Sequence, residues 1–510
     1  MPTAVKERTL LRLPALPQTA VVWLVCLASA AAALAVCSLS SPLYAANDWI
    51  DANAYLTIGR AMLHGQVPYR DLVDHKGPLL YFLHMLAALI QSNGFFGVFL
   101  WEVAAGTVFC RWAVKLAALF SDGAQALLAA PVSAALVYTL PAFSKGDSAE
   151  EFALPLLLIA LYDLVWVLLD EGHPVTRGML LRNGVLAGVL FWTKYTLLGL
   201  HFAFMACLFF ELLIFRRQIV RAFWACGWFL LGMAATAVPV LAYFAANRAL
   251  GSLWEVYFYN NLFRYSDLTG GIFSRLVRVE MLLCETLVDN VALGAACFVG
   301  AALVARCRRL PVRGRLYLAV AAGCMAVFIW GGGAYWYYYG LPFGVFVPLA
   351  AALVLPAAQG WAKGWLPAVL AATLCFVWVW IYTPNRDQMA KNRENLVQTR
   401  YAAIINETPD ASILDWGAVD SGFYTAAGLD PQFRYFIHTN AEGPEADEAR
   451  LEAIRNGDFD YIVVRDFDDW DGELPANYQV LLEHYEIVMV EYQECEGVDR
   501  AYTLLRRRTA

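Results

Sequence analysis

Apolar residues run along this chain in blocks of about twenty, and polar residues collect in a few segments between them. A block of that length is what a helix needs to cross the hydrocarbon core of a bilayer. The pattern predicts a polytopic α-helical membrane protein with about eleven transmembrane helices, at 19–40, 96–119, 123–142, 152–169, 183–197, 198–215, 222–246, 282–304, 316–334, 337–356 and 365–383. An odd count puts the two ends of the chain on opposite sides of the membrane.

Positive charge orients the scheme, because Lys and Arg accumulate in short cytoplasmic loops. Arg111 and Lys115, then Arg177 and Arg182, then Arg216, Arg217 and Arg221, and finally Arg306, Arg308, Arg309, Arg313 and Arg315 all fall where the count makes loops cytoplasmic. The apolar run 79–90 is left out, since counting it would turn the last Arg cluster outward; it is read as a helix lying at the outer interface. The start, MPTAVKERTLLRLP and then an apolar run over 19–39, has the basic-then-apolar order of a signal peptide. That run is of spanning length and no small-residue cleavage site precedes a soluble domain, so it is read as a retained first helix with a cytoplasmic N-terminus.

Four polar segments then share the outer face: the first outer loop within 41–95, the loop 143–151, the long loop 249–279 and the turn 331–342. After Pro384 the composition becomes that of a soluble domain. A helix is expected over 386–405, strands at ASILDWG, YIVVRDF, YEIVMVEY and AYTLLRR, and a helix at 451–455, which together suggest a small α/β domain with a mixed sheet. The expected division is a membrane domain, 1–384, and an extracytoplasmic domain, 385–510.

Composition agrees. The chain is 60% hydrophobic and 14% aromatic, with a mean hydropathy of +0.51, too apolar for a soluble enzyme. Its net charge of −7 comes mainly from the last quarter and gives no sign of nucleic acid as a partner. The eleven cysteines lie mostly in apolar segments without metal-type spacing and read as small core residues.

Although only 16% of the chain is charged, the stretch 47–81 holds Asp51, Arg60, Arg70, Asp71, Asp74, His75 and Lys76 between two apolar segments. Charge beside a membrane is costly, which makes the stretch the candidate site. Asp51 and Tyr55 share a helix face at a spacing of four, so Asp51 is either a general base or metal ligand or an acid that favours a helix N-terminus. Lys76 and Arg70 suit phosphate oxygens, as point charge and bidentate fork; the same turn could instead be ion-paired merely to fix the loop. His75 is either a ligand or a structural donor.

The motifs D-x-x-x-Y and Y-R-D-L-V-D-H-K-G-P-L-L-Y-F resemble the polytopic GT-C glycosyltransferases, of the family 39 type related to protein mannosyltransferases and aminoarabinose transferases, over roughly residues 20–345. The resemblance implies a polyprenyl-phosphate-linked sugar as donor and a glycan, lipid or protein acceptor on the outer face. It implies Asp51 as catalytic base, with Lys76 near the lipid phosphate. Within F-S-K-G-D-S-A-E-E-F it offers Asp147, Glu150 and Glu151 as the second acidic position, with Glu150 preferred. F-W-T-K-Y matches the family's buried lysine at Lys194, although Tyr195 stands where relatives have glycine. W-E-V-Y-F-Y-N-N-L-F-R-Y gives Arg264 and Asn261, and Y-W-Y-Y-Y-G-L-P-F gives Tyr338 as a sugar platform; an interfacial aromatic belt explains both aromatic runs as well. Tyr55, Asp74 and His75 complete the expected substrate-binding set.

The expectation is an inverting glycosyltransferase of a bacterial cytoplasmic (inner) membrane, with no certain cofactor and metal left open to a divalent cation. A lipid-linked sugar flippase or secondary transporter is the alternative, and a noncatalytic scaffold for cell-wall assembly a third. The C-terminal domain matches none of the family's soluble appendages, so the acceptor stays open.

Overall fold

The computed structural model describes residues 18–169, 173–265, 271–358, 365–440, 443–466, 476–495 and 498–508. The basic N-terminal stretch lies outside them. α1 (Gln18–Cys37) is apolar over nearly its whole length, as a membrane-crossing helix is. Two helices too short to cross follow, α2 (Ile50–Leu63) and α3 (Pro78–Ala88), of 14 and 11 residues. They pack at backbone distance: a Cβ on Gly59 of α2 would lie 2.6 Å from the main chain of His84 in α3. α4 (Phe96–Ala117) returns along α1, and the single turn α5 (Gly123–Ala126) leads to α6 (Ala129–Tyr138). α7 (Ala149–Leu168) starts at a capping serine, Ser148, whose Oγ accepts from Glu151 N at 3.0 Å.

α8 (Arg177–Lys194) ends at Lys194, whose backbone is extended (φ −161°, ψ 102°). A 3₁₀ turn, Tyr195–Leu198, reverses the chain into α9 (Gly199–Phe210). Beyond α9, Arg216 donates to the carbonyls of Val167 and His173, each at 2.9 Å, next to the entry of α8. Arg177–Phe215 is thus one 39-residue run by length but a hairpin in space, with Lys194 at its tip. α10 (Ile219–Ala246) packs along α8. After α11 (Leu250–Ser252) and a π-helical stretch, Leu253–Arg264, come α12 (Ile272–Asp289) and α13 (Val291–Arg306), bent by 111° at Asn290. The expected single span 282–304 is therefore broken: Arg275, Arg278, Glu280, Glu285 and Asp289 make α12 too polar for the hydrocarbon core, leaving only α13 apolar. α14 (Val312–Trp330), a 3₁₀ stretch Tyr337–Val345, α15 (Phe346–Val354) and α16 (Trp365–Tyr382) complete the membrane domain.

Among the described residues, seven helices are long and apolar enough to cross a membrane, or eight if the bent pair is one span. The reversal at Lys194 divides the 39-residue run into α8 and α9, and α6 and α16 are apolar helices packed against α1. The protein is a multi-pass membrane protein. A cluster of its arginines lies at one end of the bundle, where Arg182 meets Asp163 at 2.6 Å, and Arg216 and Arg313 meet Glu211 at 3.2 and 3.0 Å. The polar loops share the opposite end.

On that end sits the soluble domain. Its first helix, α17 (Val397–Ile405), is shorter than the expected 386–405, because Lys391, Asn392 and Leu396 are extended between 3₁₀ turns. Then follow β1 (Ile413–Trp416), α18 (Phe423–Ala427), α19 (Pro444–Asn456), β2 (Tyr461–Arg465), α20 (Ala476–His484), β3 (Tyr485–Cys495) and β4 (Val498–Arg507). The sheet runs β1-β2-β4-β3, parallel between β1 and β2 and antiparallel elsewhere. Loops of the domain dock on one stripe of α2 and its C-cap, Asn53, Thr57, Arg60 and His64, spaced four, three and four apart. Thr57 Oγ1 donates to Asp420 at 2.7 Å, Arg60 Nε to Asp430 at 2.9 Å, and Arg60 also to the Leu429 carbonyl.

This docking makes stability depend on pH. Burial first, and the nearby Asp415 second, push the Asp420 carboxyl from 3.8 up to about 7. A raised carboxyl stabilises the folded state fully below the unfolded value near 4, and that contribution is lost as pH rises through about 7. The thermal midpoint followed by tryptophan fluorescence is expected to fall between pH 5 and pH 8, and Asp420→Asn to flatten the fall; equal slopes in both proteins would refute this.

Candidate active site at the loop end of the membrane domain

Asp51 stands in the first turn of α2, 7% exposed. Three donors converge on its Oδ2: Tyr55 Oη at 3.1 Å, Lys76 Nζ at 3.3 Å and Tyr338 Oη at 3.2 Å. Among the described residues no hydrogen bond reaches Oδ1, so one carboxylate oxygen is anchored and the other is left for a ligand. Trp49 packs edge-on against Tyr338, ring centroids 5.3 Å apart, and fixes that tyrosine.

Lys76 reaches this point through a strained loop. Tyr69 adopts a positive φ of 70°, held by stacking on Phe244 and Tyr257 and by donating its hydroxyl to the Lys76 carbonyl at 2.6 Å. The next contact requires glycine. Gly77 N donates to Thr193 O at 2.9 Å, and a Cβ on Gly77 would lie 2.2 Å from Trp192 O. This approach seats Lys76 beside the tip of the α8–α9 hairpin, where Lys194 pairs with Glu150 at 2.5 Å and lies 3.8 Å over the Tyr339 ring. Lys76, Lys194, Tyr265 and Tyr339 line one small cleft of about 60 Å³. Burial opposes the charge on Lys76, but the Asp51 and Asp74 carboxylates outweigh it and hold the ammonium above its ordinary range. His75, stacked on Tyr265 at 4.6 Å, is driven the other way, well below its ordinary value, by burial and then by Lys76. The cleft therefore presents two cations and a neutral imidazole, an arrangement suited to an anion.

The other expected residues are distributed around this centre. Asp74, fully buried, accepts from Tyr81 Oη at 2.7 Å and from Asn440 of the soluble domain at 2.9 Å. Asn261 donates to the His75 carbonyl at 2.8 Å. Arg264 is exposed at the mouth, 5.7 Å from the Tyr259 ring. Arg70 is turned away from the cleft, paired with Asp71 at 2.7 Å and bonded to the Asn247 carbonyl. Asp147 and Glu151 lie apart in a buried group with Glu102 and His84: Asp147 N donates to both glutamates at 2.8 Å, and His84 Nε2 meets Asp147 at 2.9 Å. Burial pushes the Asp147 carboxyl up. Sequence reasoning passed over Glu102, although a lone carboxylate in an apolar helix is a detectable signal, and over Tyr339 and Tyr265, which nothing distinguishes within their aromatic runs. Among the described residues no three His, Cys, Asp or Glu side chains are grouped to hold a metal ion.

A larger cavity of about 930 Å³ adjoins the cleft through His75 and Tyr265, walled by Glu255–Arg264 residues on one side and by Arg434, His438 and Asp447 of the soluble domain on the other. The fold and site together describe a multi-pass membrane protein with a GT-C fold carrying a polar centre at one end of its bundle. Two crystal structures of ArnT from Cupriavidus metallidurans share that fold. The one bound to undecaprenyl phosphate aligns with a TM-score of 0.59 and 13% identity over 95% of this chain and 97% of that one. The apo structure aligns with a TM-score of 0.59 and 12% identity over 96% and 98%. No curated protein matches the chain. Residues 6–292 match the family described as the putative competence-induced protein Ccs4 N-terminal domain, and the chain belongs to that family.

Removing one partner of a buried ion pair strands the other charge, at a cost of about 3–5 kcal/mol. Glu150→Gln is accordingly expected to lower the thermal midpoint sharply by stranding Lys194, and Glu150→Leu with Lys194→Met to recover most of the loss. A double variant no more stable than Glu150→Gln would show that the pair is not what matters at this position.

Proposed function

We propose that the protein is an inverting membrane glycosyltransferase of the family 39 type, moving a hexosyl or pentosyl group from a polyprenyl-phosphate donor to an acceptor hydroxyl at the outer face of a bacterial cytoplasmic membrane. The observation that carries the reading is the Asp51 carboxylate, anchored through Oδ2 and open at Oδ1, beside the two buried cations Lys76 and Lys194. The donor phosphate sits against the two ammonium groups and the isoprenoid tail runs between helices. Asp51 Oδ1 takes the proton of the acceptor hydroxyl, whose oxygen forms the new bond to the anomeric carbon as the bond from that carbon to the phosphate oxygen breaks. The departing polyprenyl phosphate keeps the electron pair, and the cations stabilise its charge. Attack from the face opposite the phosphate inverts the anomeric centre.

The fold shared with a protein crystallised with undecaprenyl phosphate supports the donor class. The cavity walled by the soluble domain supports acceptor entry from that side, with the domain as its recognition module. A transporter would place its helix breaks near mid-membrane, whereas the break at Asn290 lies at the loop end, where Asn290 Oδ1 accepts from Ala142 N at 2.8 Å.

Purified protein given a polyprenyl-phosphate sugar and a lipid extract is expected to release label from the donor. Asp51→Asn should slow turnover about 10²–10⁴-fold, the usual contribution of general base catalysis, while donor binding stays within about twofold. Undiminished transfer by Asp51→Asn would remove Asp51 as base; donor binding by wild type without any transfer would favour the flippase.

A further inference from the structure

A separate cavity, of about 720 Å³, lies at the end of the bundle where arginines cluster, between the start of α8, the segment after α9 and the first turns of α10. The 18 residues of α8 set it roughly 25 Å along the helix from Lys194, so it is no part of the active-site cleft. Among the described residues every charged side chain in its wall is an arginine: Arg177, Arg216 and Arg221. Arg216 is half-buried and engaged with Glu211 and two carbonyls. Arg177 and Arg221 are exposed, and neither forms an ion pair among the described residues. Uncharged groups hold both heads at the wall: the Arg177 guanidinium lies 5.5 Å from the centre of the Trp228 ring, and Arg221 Nη1 donates to Gln218 Oε1 at 3.2 Å. These contacts leave most of the guanidinium N–H donors open, and a single anion in the space the two groups share would relieve their mutual repulsion. Guanidinium groups suit phosphate oxygens in particular, through paired N–H donors. The surroundings select among phosphates. Trp224, also in the wall, is 63% exposed, and Phe215, Ile219, Val220 and Phe223, close by in the chain, are exposed as well. On a helix long and apolar enough to cross a membrane, such side chains face acyl chains, while arginines at its end lie at headgroup level. The ligand that fits is charged at one end and hydrocarbon at the other.

We propose that this cavity binds an anionic phospholipid of the adjacent leaflet, its phosphodiester between the guanidinium groups of Arg177 and Arg221 and its acyl chains against Phe223 and Trp224. The site does not depend on the chemistry assigned to Asp51, and its failure and that of the transferase reading are independent.

The test uses the full chain in phosphatidylcholine nanodiscs containing phosphatidylglycerol as a minor component, with retained lipid read by native mass spectrometry. Wild type is expected to retain phosphatidylglycerol over phosphatidylcholine, and its thermal midpoint to rise when phosphatidylglycerol is present. Arg177→Gln combined with Arg221→Gln should weaken retention at least about tenfold, as losing charge-assisted hydrogen bonds would. Arg217→Gln, which removes an exposed arginine of the same segment that does not line the cavity, should leave retention unchanged. Equal retention of the two lipids by wild type, or equal losses in Arg217→Gln and in the double variant, would overturn the proposal. Displacement of the lipid by glycerol 1-phosphate at a matching concentration would overturn the membrane source of the phosphate.

Discussion

Two ammonium groups held side by side, largely out of water, constrain everything around them. Lys76 and Lys194 each need a carboxylate, and each has one, Asp51 and Glu150 respectively. Withdrawing a charge from water is expensive unless it is paired, so α2, the start of α7 and the tip of the α8–α9 hairpin must meet at one place. The meeting depends on the backbone contact of Gly77 with Thr193, which no larger residue permits. A ligand phosphate placed there would compete with Asp51 and Glu150 for the same cations, so substrate binding and internal pairing are alternatives built from the same groups.

α2 is the element through which the two domains communicate. One of its polar stripes, Asp51 and Tyr55, belongs to the cleft; the other, Asn53, Thr57, Arg60 and His64, belongs to the soluble domain. Arg60 is 2% exposed and bonds both Asp430 and the Leu429 carbonyl, so a shift of the soluble domain would be transmitted to the helix that carries Asp51. Asn440 reaches Asp74 in the same loop as Lys76, a second rigid tie between the domains.

How far the chain could be read depended on the range of the interaction involved. The multi-pass helical character and the four strands followed from local periodicity, and the exclusion of 79–90 from the spans followed from the loop charges; a multi-pass bundle, the four strands and a short helix at Pro78–Ala88 are found in the fold. Local pattern misled at 282–304, where an apolar run continued across the bend at Asn290, and at 386–405, where extended residues separate 3₁₀ turns ahead of the helix. Within the site, the Asp51–Tyr55 pair was legible because four residues on a helix always share a face. Arg70 is a cation only six positions before Lys76, yet the turn at Tyr69 directs it toward Asp71 and away from the cleft.

The sequence by itself determined that the chain lives in a membrane, that its positive charge collects at one end and its polar loops at the other, and that 47–81 is dense in chemistry, because these depend only on neighbours along the chain. Only the tertiary structure decided that Tyr338 meets Asp51 across 287 residues, that Glu150 rather than Asp147 or Glu151 takes Lys194, and that Thr57 meets Asp420. The physical reason is that apolar periodicity states which face of a helix is buried, whereas the partner of a buried polar group is fixed by how whole helices pack.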